Sequence, residues 1–154
     1  MIHTTRAINT TGFVASIARI LPRDHLRINS RNVRQLYNSA ERSGNSYKFL
    51  YHYGRQEFVV LGIDLDHKFS ASRLLGQASG NLVGGGYLEV RRITENEIEI
   101  FVSAISGGWG GIDQARLADV VQHLARVLGN NNPDLNIEIE QAIMPGCMLI
   151  VITS

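Results

Sequence analysis

Apolar positions along this chain change period three times, and each change predicts a different element. Phe13, Val14, Ile17, Ile20 and Leu21 recur at helical spacing between a Thr10 or Thr11 cap and the stop at Pro22, which predicts a first helix over about 11–21. After the polar link Arg23–Asn29, Ser30 can cap a second helix. Its buried stripe would be Val33, Leu36, Tyr37 and Ala40, and Ser43-Gly44-Asn45 would end it.

The period then becomes two. Tyr47–Tyr53 and Gln56–Ile63 are rich in aromatic and β-branched residues and flank Gly54-Arg55, a glycine-first pair suited to a type II′ hairpin turn. That register sets Tyr51 opposite Phe58 and His52 opposite Glu57. A second hairpin is expected at about 86–104. With Thr94-Glu95-Asn96 as a three-residue loop and Asn96 left-handed, Leu88, Val90, Ile98, Ile100 and Val102 share one face and Arg91 lies opposite Glu99. Between the hairpins, Asp64–Gly86 reads as a long connection with a short helix at 70–78 and a glycine-rich tail, the kind of segment that often serves as a functional loop.

A third helix is the clearest. Leu117, Val120, Val121, Leu124, Val127 and Leu128 form its stripe, Asp113 is placed to cap it, and Gly129 to close it. A last strand pair follows at about 135–143 and 147–153, joined at Pro145-Gly146; Leu149–Ile152 is apolar on both faces, which suits a central strand. The chain of 154 residues is therefore expected to form one α+β domain. Its sheet would be mostly antiparallel, of about six strands, with two N-terminal helices and one long helix packed on one face.

Charge adds a second layer. Residues 1–55 hold nine of the fifteen Lys and Arg against Asp24 and Glu41, a balance of +7, while the remainder carries −6. Thirteen of the fifteen cations are Arg, whose planar fork suits phosphate and carboxylate. Arg19, Arg23, Arg27, Arg31 and Arg34 recur every three or four residues, and Pro22 and Ser30 break them into a loop-plus-helix ridge. Such a ridge is a contact surface for an acidic protein or, without sequence specificity, for nucleic acid. Its plainer reading is a solvated face, or an intramolecular match to the acidic half.

Two further places hold candidate chemistry. Ser106-Gly107-Gly108-Trp109-Gly110-Gly111-Ile112-Asp113 leaves a strand and enters the third helix, a junction that exposes backbone N–H groups at the positive end of a helix dipole. It matches neither the Lys-bearing phosphate loop nor the dinucleotide fingerprint, and Asp113 would repel an anion there. In topology alone it resembles the coenzyme A pyrophosphate site of acetyltransferases. The second place is Asp64-Leu65-Asp66-His67, just beyond a strand. Its carboxylates and imidazole could hold a divalent cation or serve as general base and acid in a nuclease-like effector, or simply make a turn. His123 follows Arg116 by seven residues and Asp119 by four on the polar side of the third helix.

The rest is exclusion. No apolar run approaches a membrane span, and Cys147, the only cysteine, lies in an apolar strand, where a thiolate is costly. A reducing cytoplasm is the expected compartment, and the sequence leaves the cofactor unknown. The leading expectation is a small binding protein of accessory, inhibitor or immunity type. A small acyltransferase-like or nuclease-like enzyme is the alternative.

Overall fold

The structure is a computed structural model that describes residues 25–76, 82–104 and 112–154. The helix expected over 11–21, Arg19, Arg23 and the loop residues Gly107, Gly108, Trp109, Gly110 and Gly111 lie outside the described residues. Among the described residues, seven strands and three helices follow in the order β1 (His25–Ile28), α1 (Val33–Tyr37), β2 (Asn45–His52), β3 (Glu57–Leu61), α2 (His67–Leu75), β4 (Val83–Thr94), β5 (Glu97–Ser103), α3 (Gln114–Asn131), β6 (Asn136–Gln141) and β7 (Cys147–Thr153). The strands form one sheet, ordered β1-β3-β2-β4-β5-β7-β6, in which every neighbouring pair is antiparallel.

Alternation along the strands separates two faces. Tyr47, Phe49, Tyr51, Phe58, Val60 and Ile100 point to the first face, where Leu117, Val120, Val121, Leu124 and Leu128 of α3 and Val33 and Leu36 of α1 meet them in the main core. On the second face, Leu50, Val59, Leu61 and Val83 pack against Ala71 and Leu75 of α2. Helices thus lie on both faces of the sheet, not on one. The strand count is seven because Arg23–Asn29, expected as a link, contributes β1: Leu26 and Ile28 alternate with Arg27, and the segment pairs with β3 from His25↔Leu61 to Ile28↔Phe58. The second helix is consequently short. It starts after Asn32 rather than Ser30, although Val33, Leu36 and Ala40 are buried as expected.

Both hairpin registers agree with the sequence, and both turns differ. Tyr51↔Phe58 and His52↔Glu57 close the first hairpin, but its loop has four residues, and Gln56, at φ 53°, takes the left-handed conformation in place of Gly54. The His52 ring explains the exchange: its Nδ1 accepts from the Arg55 backbone N–H at 3.0 Å, which holds the loop without a positive φ at Gly54. In the second hairpin Arg91 pairs with Glu99, while a two-residue turn places Thr94 opposite Glu97 and an irregularity between Arg92 and Thr94 restores the register. Asn96 is not left-handed. A bulge costs one extra residue, Ile93, and keeps Leu88, Val90, Ile98, Ile100 and Val102 on the core face.

The long connection also contracts. Its helix begins at His67 rather than at residue 70, because Asp66 caps it by accepting from Phe69 N–H at 2.8 Å. Gly84-Gly85-Gly86 is strand, not loop. A Cβ on Gly86 would collide with the Ser103 carbonyl oxygen and lie 2.9 Å from the Phe49 ring, so glycine there lets β4 approach β5 closely. Helix α3 passes through Gly129 and ends at Asn131.

Candidate functional site

Each sequence candidate acquires definite neighbours. Asp64 is exposed and Asp66 caps α2, whereas His67 is 4% exposed with Nε2 3.0 Å from the Gly86 carbonyl oxygen. Since a carbonyl only accepts, Nε2 carries a proton and donates it to Gly86. The Tyr87 ring stands edge-on to it at 5.7 Å. These contacts seat α2 on β4. Burial lowers the His67 pKa, the bond to Gly86 opposes that shift, and the Lys48 charge adds to it. The unfolded chain therefore binds a proton that the folded chain resists. The His67 contribution to stability is complete above its ordinary value of 6.5 and is lost as pH falls below it. Between pH 7 and 5 the urea midpoint of the wild type should drop more than that of His67→Gln, whose amide can still donate to Gly86; parallel curves would refute this role.

The arginine ridge divides. Arg27, on the edge strand β1, bonds Glu57 Oε2 through Nη1 at 2.7 Å and donates through Nη2 to the Leu74 carbonyl. Arg55 donates to the Leu75 carbonyl at 2.7 Å, with its Nε 3.6 Å from Glu57. Two guanidinium groups thus hold the last carbonyls of α2, the end where a helix dipole favours cations. Arg31 and Arg34 are exposed.

At the exit of the glycine loop the structure gathers residues that sequence reasoning did not join. Asp113 caps α3 as expected, accepting from Arg116 N–H at 2.8 Å. The Arg116 guanidinium sits 4.3 Å above the Tyr53 ring. Tyr53 meets Tyr51 edge-on at 5.7 Å, and Tyr51 meets His123 at 5.3 Å. Gly84 makes this possible, because a Cβ there would collide with the Tyr53 hydroxyl and lie 2.7 Å from Ile112, the residue that ends the glycine loop.

Along α3, Arg116, Asp119, His123, Arg126 and Asn130 fall at spacings of three, seven, ten and fourteen, a polar sector opposite the buried stripe. At its far end Asn131 donates to the Ser30 carbonyl at 2.8 Å and accepts from the Tyr37 hydroxyl at 3.1 Å, which ties in the turn carrying Arg31. Burial raises the Tyr51 pKa, opposed by Arg126, and raises that of Tyr53, opposed by Arg116. The same burial lowers His123, and Arg126 adds to that shift. Near neutral pH the patch therefore presents the part-buried Tyr53 phenol, a neutral imidazole and two guanidinium groups, with Tyr51 buried beneath them.

Its signal was present in the sequence as two separate patterns. Tyr51 and Tyr53 continue the period-two face of Tyr47 and Phe49, and Arg116, His123 and Arg126 share a helical sector, but only the fold shows that these faces meet. His67 lies across the sheet from them, since its partner strand turns Gly84 and Gly86 to one face and Tyr87 to the other. No group of three or more His, Cys, Asp and Glu among the described residues could hold a metal ion. None of the described helices is long and apolar enough to cross a membrane. No family model, curated protein or solved structure matches the chain.

Proposed function

We propose that the chain is a binding protein that takes a single-stranded nucleic acid, without sequence preference, along the polar side of α3. The observation that carries this reading is the Arg116 guanidinium over Tyr53 beside the Tyr51–His123 pair. Guanidinium groups neutralise phosphates, and aromatic and guanidinium planes accept stacked bases of any identity. An 18-residue helix is about 27 Å long, so Arg116, Arg126 and the Arg31 turn offer cations over several nucleotides. Asp113 and Asp119 interrupt the positive field and weigh against a very tight complex.

Anisotropy of a labelled oligonucleotide, titrated at several salt concentrations, tests the reading. Arg116→Ala and Arg126→Ala should each weaken binding and flatten the dependence of log affinity on log salt by about 0.7. Lys68→Ala, on α2 across the sheet, should match the wild type. Absence of binding at low salt would overturn the proposal, as would equal affinity for polyglutamate, which would leave charge alone as the basis.

A further inference from the structure

The described histidines differ in what their ring nitrogens do. His52 Nδ1 accepts from the Arg55 N–H at 3.0 Å, and His67 Nε2 lies 3.0 Å from the Gly86 carbonyl oxygen, so each of these rings spends a nitrogen on the backbone. His123 does not. Its half-buried ring leans on Tyr51, with centroids 5.3 Å apart and planes at 56°, and among the described residues neither nitrogen has a hydrogen-bond partner.

Its place on α3 is central to the polar track. His123 follows Arg116 by seven residues and precedes Arg126 by three, about 10 Å and about 5 Å along the helix axis and within one sector of its circumference. Among the described residues, β2 brings the Tyr51 and Tyr53 phenols to this side of α3, β3 the Phe58 ring behind Tyr51, and β6 and β7 aliphatic side chains. Helix α1 carries the exposed Arg34 and Tyr37, whose hydroxyl is bonded to Asn131 two turns away. α3 itself adds Arg116, Arg126 and, one turn before His123, the exposed Asp119. Burial opposes protonation of His123, and the Arg126 charge adds to that opposition. A phosphate held by the neighbouring arginines acts the other way, because it favours an imidazolium that can donate from both nitrogens.

We infer that His123 is a proton-gated contact for the backbone phosphates of the bound strand. Neutral, it leaves the cation sites at Arg116 and Arg126; charged, it supplies a third between them. The inference rests on the nucleic-acid reading and adds a regulation to it. Binding then takes up a proton, and by reciprocity a proton tightens binding. Affinity is flat at high pH and climbs as pH falls through the pKa of the complex. It levels off below that of the free protein, which lies under 6.5.

Anisotropy of a labelled oligothymidylate, whose bases do not titrate in this range, tests the gate at pH 8 and pH 5.5. Wild-type affinity should rise about fivefold to tenfold at the lower pH, as a pKa displacement of about one unit requires. The slope of log affinity against log salt should steepen by about 0.7. His123→Gln, which stays neutral, should show the same affinity at both pH values. His123→Arg should also be insensitive to pH, and at pH 8 it should bind several-fold tighter than the wild type. Equal wild-type affinities at the two pH values would overturn the inference and leave the nucleic-acid reading standing, as would a rise that His123→Gln retains. Binding at neither pH would overturn both. Should acid cost the wild type its fold, as circular dichroism would reveal, His123→Arg at pH 8 decides: no gain over the wild type ends the gating role.

Discussion

Replacing Gly86 with Ala will cost about 3 kcal/mol, at the upper end of what overpacking a tight core costs. The reason is that a single methyl meets two obstacles of different kinds. One is the Ser103 carbonyl oxygen, backbone of the adjacent strand, which can yield only if β4 and β5 separate. The other is the edge of the Phe49 ring, which stacks on Phe58 with centroids 5.1 Å apart and has little freedom to turn. His67 would lose its seat as well, because its acceptor is the Gly86 carbonyl. Urea denaturation measures the loss; a shift below about 1 kcal/mol would show that the strands yield easily. Gly85, whose side-chain position faces away from Phe49, serves as the comparison.

Leu124→Ala should cost about 2–5 kcal/mol in the same assay. Leu124 is fully buried at the middle of α3, within the cluster that includes Tyr47, Phe49 and Ile150. Its removal leaves a cavity between a helix and a sheet, two rigid surfaces that close poorly over a gap. Dispersion contacts are lost along with the apolar area. A cost below about 0.5 kcal/mol would mean that α3 is not anchored by its stripe. The oligonucleotide affinity of this variant, measured where it remains folded, should stay close to wild type, since the contact groups lie on the opposite side of the helix.

Side-chain alternation made much of this fold legible before any coordinates. A register error of one residue in either hairpin would have turned Tyr51 or Val90 to the wrong face, so the core fixes the pairing even where the turn is misassigned. Turns were less legible for a complementary reason. Gln56 rather than Gly54 takes the positive φ because the Arg55 N–H donates to His52 Nδ1 and so supports the loop, and no local propensity encodes that contact. β1 was hidden by its polarity: an edge strand of four residues presents only Leu26 and Ile28 to the core, too few to show a period.

The glycines of β4 misled in the other direction. They suggested the tail of a long functional loop, whereas close approach to Ser103 and Tyr53 requires them inside a strand. The candidate site was legible only as fragments. Asp113 as a cap and the polar sector of α3 could be read from spacing, while the meeting of Arg116 with Tyr53 depends on residues 63 positions apart in the chain.

The position of β7 has a consequence for the order of assembly. β5 and β6 are parallel to each other, joined through α3, and share no hydrogen bonds; β5 pairs with β4 and β7, whereas β6 pairs only with β7, which follows both in sequence. Until Cys147–Thr153 arrives, β6 has no ladder and the sheet stops at β5. A chain cut after Gly146 therefore forfeits two strands rather than one, and with them much of the floor on which α3 rests. Nascent and truncated forms should hold the β1–β5 half of the sheet while α3 stays unseated. The final seven-residue strand acts as a latch that converts an open half-sheet into the finished molecule.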